Sequence, residues 1–228
     1  YNGQGLNSPN DVVPHSDGSV WFTDPGYGTN LAEGHPDSPG GPTNPDGKIR
    51  WNIGRELIGE IGGTKRQADH VFRIAPDGTL TAVLQEKDLR DPNGLCFSPD
   101  YKKLYVVSTP KGPGQSVGGD QAIHVYDVKD GTLSNGRIFS TMQLNGVQMN
   151  PDGIRIDVFG NLWCGASGPL GLCGVMVFNP SGKLIGRIRL PQGCSNLTFG
   201  GPKRDHLFMC AAGSLFTLQV GVQGFAPS

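Results

Sequence analysis

The chain has 228 residues, a formal net charge of −1 from 19 basic and 20 acidic side chains, and 36 glycines and 18 prolines. Glycine, at about 16%, is more than twice its average share but lacks the three-residue period of collagen. No basic stripe stands ready for a phosphate backbone, and the longest apolar run, 207–212, falls far short of the roughly twenty residues of a membrane helix, so neither nucleic acid nor membrane is an expected partner.

Long amphipathic stretches are absent, which argues against an all-α chain and for a soluble, turn-rich, all-β fold. A repeat organises it. Four segments open alike: N-S-P-N-D-V-V (7–13), R-D-P-N-G-L-C-F-S (90–98), N-P-D-G-I-R-I-D-V (150–158) and G-C-S-N-L-T-F-G-G (193–201). Each is a polar start followed by a short apolar strand. A second run follows in each unit: S-V-W-F-T-D (19–24), K-L-Y-V-V-S (103–108), N-L-W-C-G-A (161–166) and H-L-F-M-C-A (206–211). A third follows at 70–75, 123–128, 175–180 and 214–219. Three units continue through P-D-G (76–78), K-D-G (129–131) and P-S-G (180–182) into a fourth strand, and these turns carry the glycine that tight hairpins need. The turn glycines recur about every fifty residues, the spacing of four-stranded β-propeller blades.

The chain therefore reads as one β-propeller domain over 1–228, with about four readable blades and a long Gly/Pro/Asn-rich insert over 28–69 in the first. The fourth unit has only a weak candidate, 220–228, for its last strand. Trp21, Tyr105, Trp163 and Phe208, recurring on the second strands, are expected to pack between blades. The five cysteines (Cys96, Cys164, Cys173, Cys194 and Cys210) show no C-x-x-C pair and read as small buried hydrophobes, with a Cys164–Cys173 bridge as the alternative.

In a propeller the first strand of each blade lines the central channel, so polar residues at its start converge at one mouth. Here these are Asn10, Asp11, Asn93, Asp152 and Asn196, all oxygen donors of the kind that suits hard cations. Turn chemistry alone accounts for the same residue types. Asp24 and Tyr27 follow the second strand of the first blade and are placed to reach that mouth, with the insert as a lid. For Asp24 a plain turn role before Pro25 is the alternative.

The ordered motifs L-N-S-P-N-D-V-V with S-V-W-F-T-D-P-G-Y-G, D-P-N-G-L-C-F-S-P-D, P-D-G-I-R-I-D-V-F-G-N-L-W and S-N-L-T-F-G-G resemble the SMP-30/gluconolactonase/luciferin-regenerating family, the bacterial-type gluconolactonases most of all. The resemblance implies a six-bladed propeller with one divalent cation near the channel mouth. Calcium is the first expectation, with zinc, magnesium and manganese as alternatives. It implies Asn93, Asp152 and Asn10 around that metal and Asp152 also as general base (metal-bound water being the other candidate activator). By their places at the strand ends, Asn10, Asp24, Tyr27 and Asn196 are expected toward substrate. The family's glutamate ligand has no counterpart here; the blade carrying it, and about two blades' worth of sequence, would precede Tyr1. Ser8 stands where animal relatives carry a substrate-binding arginine. The implied activity is metal-dependent hydrolysis of a small-molecule sugar lactone. The alternatives are a non-catalytic propeller binding module and a hydrolase of another lactone or ester.

Overall fold

The structure, a computed structural model, describes residues 1–26, 45, 65–110 and 117–226. Tyr27 and nearly all of the 28–69 insert lie outside the described residues. Seventeen strands and no helix are found among the described residues.

Four antiparallel meanders follow one another. The first is β1 (Val12–Pro14), β2 (Val20–Asp24), β3 (His70–Ile74) and β4 (Leu80–Gln85). The second is β5 (Pro92–Phe97), β6 (Lys103–Ser108), β7 (Ala122–Lys129) and β8 (Thr132–Ser140). A two-stranded ribbon, β9 (Gln143–Leu144) and β10 (Val147–Gln148), leads to the third sheet, β11 (Asn150–Ile156), β12 (Leu162–Ser167), β13 (Gly174–Phe178) and β14 (Leu184–Arg189). The last has three strands, β15 (Cys194–Gly200), β16 (His206–Ala211) and β17 (Ser214–Gln219). Gly78, Gly131 and Gly182 sit at φ of 86°, 73° and 82° in the hairpins where the sequence requires them.

The sheets are the blades of a propeller. The repeat predicted four from this chain, and four are described; the resemblance implied six. The inner strands stand side by side in the order β1, β5, β11, β15. Strand alternation then builds the core, because successive side chains point to opposite faces. On β6, Leu104 and Val106 pack with Trp21 and Leu95 of the first interface, while Tyr105 and Val107 pack with Ile154 and Leu162 of the second. On β12, Leu162, Cys164 and Ala166 face the second blade, while Trp163 faces the fourth with Leu197, Leu207 and Met209. Each interior blade is buried on both faces.

Three of the four recurrent bulky residues are buried as expected: Trp21, Tyr105 and Trp163. Phe208 is only half-buried, because it faces away from the third blade and no described residue forms a further blade beyond it. Residues 220–226, the described part of the 220–228 candidate, add no strand to β17. They turn back beneath the third blade, where Phe225 N–H donates to Ile156 O at 2.9 Å, Val158 N–H donates to Gln223 O at 3.0 Å, and Gly224 bridges Asp157. All five cysteines are free, four of them buried. The Cys164–Cys173 bridge is therefore not formed; the Cys164 thiol points at Gly165 O and that of Cys173 at Gly168 O.

Large-to-small substitution at an interior blade face should cost more than on the last face. Leu162→Ala should lower unfolding free energy by about 2–5 kcal/mol in urea denaturation, and Phe208→Ala by less despite its larger side chain.

Candidate active site at the blade axis

Three inner strands break their pairing at the same place. The register with the second strand shifts between Pro92 and Leu95, between Pro151 and Ile154, and between Cys194 and Asn196. Such bulges re-aim side chains that regular alternation would send elsewhere. Asn93 and Asp152 occupy the first two. P-N-G and P-D-G thus lie inside β5 and β11, so the reading of these residues as ordinary turns does not hold. Their glycines have another cause. A Cβ on Gly94 would lie 2.8 Å from both Gly153 Cα and Ile154 N, and one on Gly153 would overlap the Asn196 side chain. The inner strands approach so closely that only glycine fits between them.

This approach brings predicted residues together. Asn93 is buried, and its side-chain amide stands close enough to the Asp152 carboxyl to favour its charged form. Asn196 stands on the far side of Gly153, with its Oδ1 accepting from Leu197 N–H at 2.8 Å. Burial pushes the Asp152 carboxyl from an ordinary 3.8 up to about 7; the Asn93 amide and the Gly153 N–H oppose the rise and the Asp11 carboxylate adds to it. The surroundings explain the cost of charge: the fully buried Cys164 thiol lies against the Asp152 backbone, and Cys194 is close by. Burial raises both thiols as well, that of Cys194 to about 12, so neither is a thiolate nucleophile.

Asn10 is exposed just ahead of β1. Its N–H donates to Thr23 O at 2.9 Å, and its side chain makes no hydrogen bond with a described residue. The next residue, Asp11, is buried and joins Arg155 of β11 in an ion pair at 3.0 Å. Sequence reasoning placed Asp11 at the mouth but missed Arg155, because nothing in a local pattern links positions 144 residues apart.

Asp24 is placed differently from a free ligand at the mouth. It is fully buried and accepts from Asn7 N–H at 3.0 Å, Ser8 N–H at 2.9 Å and the Gln67 amide at 3.2 Å. Burial raises its carboxyl in spite of these donors. Its carboxylate fastens the 7–8 backbone that leads to Asn10. Ser8 turns its hydroxyl to Pro25 O at 2.9 Å. Tyr27 lies outside the described residues.

A cavity of about 220 Å³ also touches the axis, lined by Val12, Phe97, Ile156, Phe199 and Phe225 among others. It includes none of Asn10, Asn93, Asp152 and Asn196; Arg155 is the side chain it shares with the ion pair.

The family profile described as the SMP-30/gluconolactonase/LRE-like region matches residues 1–213. The chain belongs to this family. It is 33% identical over 223 residues to a gluconolactonase of Zymomonas mobilis, an alignment covering 93% of this chain and 50% of that protein. It is 29% identical over 145 residues to the pentonolactonase XacC of Haloferax volcanii, covering 63% and 45%. Among solved structures, a gluconolactonase from Xanthomonas campestris superposes with a TM-score of 0.63 at 33% identity, over 96% of this chain and 59% of that one. A luciferin-regenerating enzyme shares the fold, with a TM-score of 0.67 at 20% identity over 96% and 64%. The chain spans about half the length of the curated relatives it matches.

The donors at the axis fit a hard divalent cation in kind: oxygens from two amides and one carboxylate, with the carboxylate in a place where burial disfavours its charge. Among the described residues no group of three or more His, Cys, Asp or Glu side chains is gathered, so a site here depends on the asparagines.

The raised Asp152 carboxyl has a stability signature. Between about 4 and 7 the folded chain holds more protons than the unfolded one, so stability should fall as pH rises through that window and level off above it. Asp152→Asn should flatten this slope in thermal unfolding. A cation held by the same oxygens would compete with this proton, and millimolar calcium would then raise the wild-type melting temperature more at pH 7.5 than at pH 5.

Proposed function

We propose that the chain carries the lactone-opening site of a sugar-lactone hydrolase, with one divalent cation, calcium first among candidates, held by Asn93, Asp152 and Asn10. The observation that carries the reading is the buried Asn93–Asp152 pair at matching bulges of adjacent inner strands, with a carboxyl poised near 7. Membership of the family and identity to named lactonases support it.

When bound, the cation supplies Lewis acidity toward the lactone carbonyl oxygen. The protein's own groups account for the rest. Asp152, as carboxylate, accepts a proton from the water that attacks the carbonyl carbon. The ring C–O bond breaks, the ring oxygen leaves as a hydroxyl after taking a proton, and the product is the open hydroxy acid. Asn93, beside Asp152, favours its charged form. Asn10, exposed at the mouth, and Asn196, beside Gly153, offer amide donors and acceptors to the sugar hydroxyls. Asp24 acts one step back, by fixing the backbone that carries Ser8 toward Asn10.

Acid release from glucono-1,5-lactone by the purified 228-residue chain tests the proposal. Hydrolysis should require a divalent cation and fall about 100-fold or more in Asp152→Asn with the fold intact. Asn93→Ala should weaken both cation binding and turnover. Turnover indifferent to chelator, or undiminished in folded Asp152→Asn, sinks the reading.

A further inference from the structure

Arg155 reaches across the propeller. Its Nη1 donates to Asp11 Oδ2 at 3.0 Å and its Nη2 to Asp11 Oδ1 at 3.4 Å, while Nη1 also donates to Ile154 O at 2.7 Å. Asp11 precedes β1 in the first blade and Arg155 lies on β11 in the third. The second blade's β5 stands between them in the ring. Every other ion pair of Arg or Lys among the described residues joins groups within one blade or at its edge: Lys65 with Asp69 and Glu86, Arg73 with Asp17, Lys103 and Arg137 with Asp127.

The carboxylate of Asp11 is 7% exposed and the Arg155 side chain 27%, so the pair is shielded from solvent on its acidic side. Local bonds make Asp11 stiff. Its N–H donates to Thr23 Oγ1 at 3.1 Å, and Val12 N–H donates to its Oδ1 at 2.9 Å. That same Oδ1 receives Arg155 Nη2, so the guanidinium fork and the start of β1 share one acceptor. At the other end, Arg155 is tethered by its own Ile154 carbonyl two residues after Asp152. A two-toothed guanidinium–carboxylate contact fixes angle as well as distance, which a lysine ammonium does not.

We infer that the Arg155–Asp11 pair is a positioning strut that sets where Asn10 of the first blade stands relative to Asp152 of the third. Asn10 needs such a device: it is exposed, its side chain is unbonded among the described residues, and the first and third blades do not adjoin. Arg155 touches neither Asn93 nor Asp152 by any hydrogen bond, so it acts through Asp11. The kinetic part of this inference rests on the lactonase reading; the geometric part does not.

The test uses the whole 228-residue chain as wild type, Arg155→Met, Arg155→Lys and Asp11→Asn, the last keeping an acceptor for Val12 N–H. Hydrogen exchange is followed at the amides of residues 10–12, with those of β13 as internal control. Arg155→Met and Asp11→Asn should speed exchange at 10–12 about tenfold or more and leave β13 unchanged, with Arg155→Lys in between. In lactone hydrolysis Arg155→Met should lower kcat about tenfold with KM moved less, and Arg155→Lys should recover part of it. Unchanged exchange at 10–12 overturns the strut, and so does faster exchange with full turnover in an active protein. A wild-type chain that hydrolyses no lactone ends the lactonase reading while the exchange data still decide the strut.

Discussion

A four-stranded sheet of this composition has apolar side chains on both faces and cannot bury them alone. Everything else follows from stacking such sheets face to face. Leu104 and Tyr105 are neighbours in sequence yet belong to different interfaces, and so are Leu162 and Trp163. The two-residue period of β6 and β12 is what commits them to neighbours on both sides. It also forces the inner strands together at the axis, where the closest approach falls on Gly94 and Gly153.

That crowding makes the site. Where two backbones nearly touch, neither strand can keep regular pairing with its own blade, and the bulges at Asn93 and Asp152 absorb the misfit. The side chains at the bulges turn toward one another and leave bulk water. Asp152 then sits over buried thiols with an amide as its main partner, and its proton affinity rises. A carboxyl held this way is unfavourable for the fold and useful for proton transfer or cation binding, so the local cost and the proposed chemistry have one physical origin.

Buried carboxylates elsewhere are used for construction. Asp157 accepts from Phe159 and Asn161 N–H, the Asn161 amide and Trp163 Nε1, which closes the hairpin between β11 and β12. Asp24 pins the approach to Asn10 in the same manner, and Asp69 accepts from the N–H groups of Gly26 and Asp91 to join the first blade to the second. Asp24 and Asp152, both candidate site residues in the sequence, are therefore separated by their partners. Those saturated by backbone N–H groups hold loops, while Asp152 faces an amide and another acid.

The sequence by itself determined the four readable blades, the order of their strands and the hairpin turns, because hydrophobic period and turn glycines are local and each repeat states them again. It also marked Asn93 and Asp152, since P-N-G and P-D-G recur at one place in successive repeats. Only the tertiary structure decided that those glycines serve a close approach between strands, that Asp24 is a buried anchor, that the last segment folds under the third blade, and that Arg155 grips Asp11. Each of these depends on which surfaces meet once the blades are stacked, and contacts between positions as distant as 11 and 155 leave no trace in any local pattern of residues.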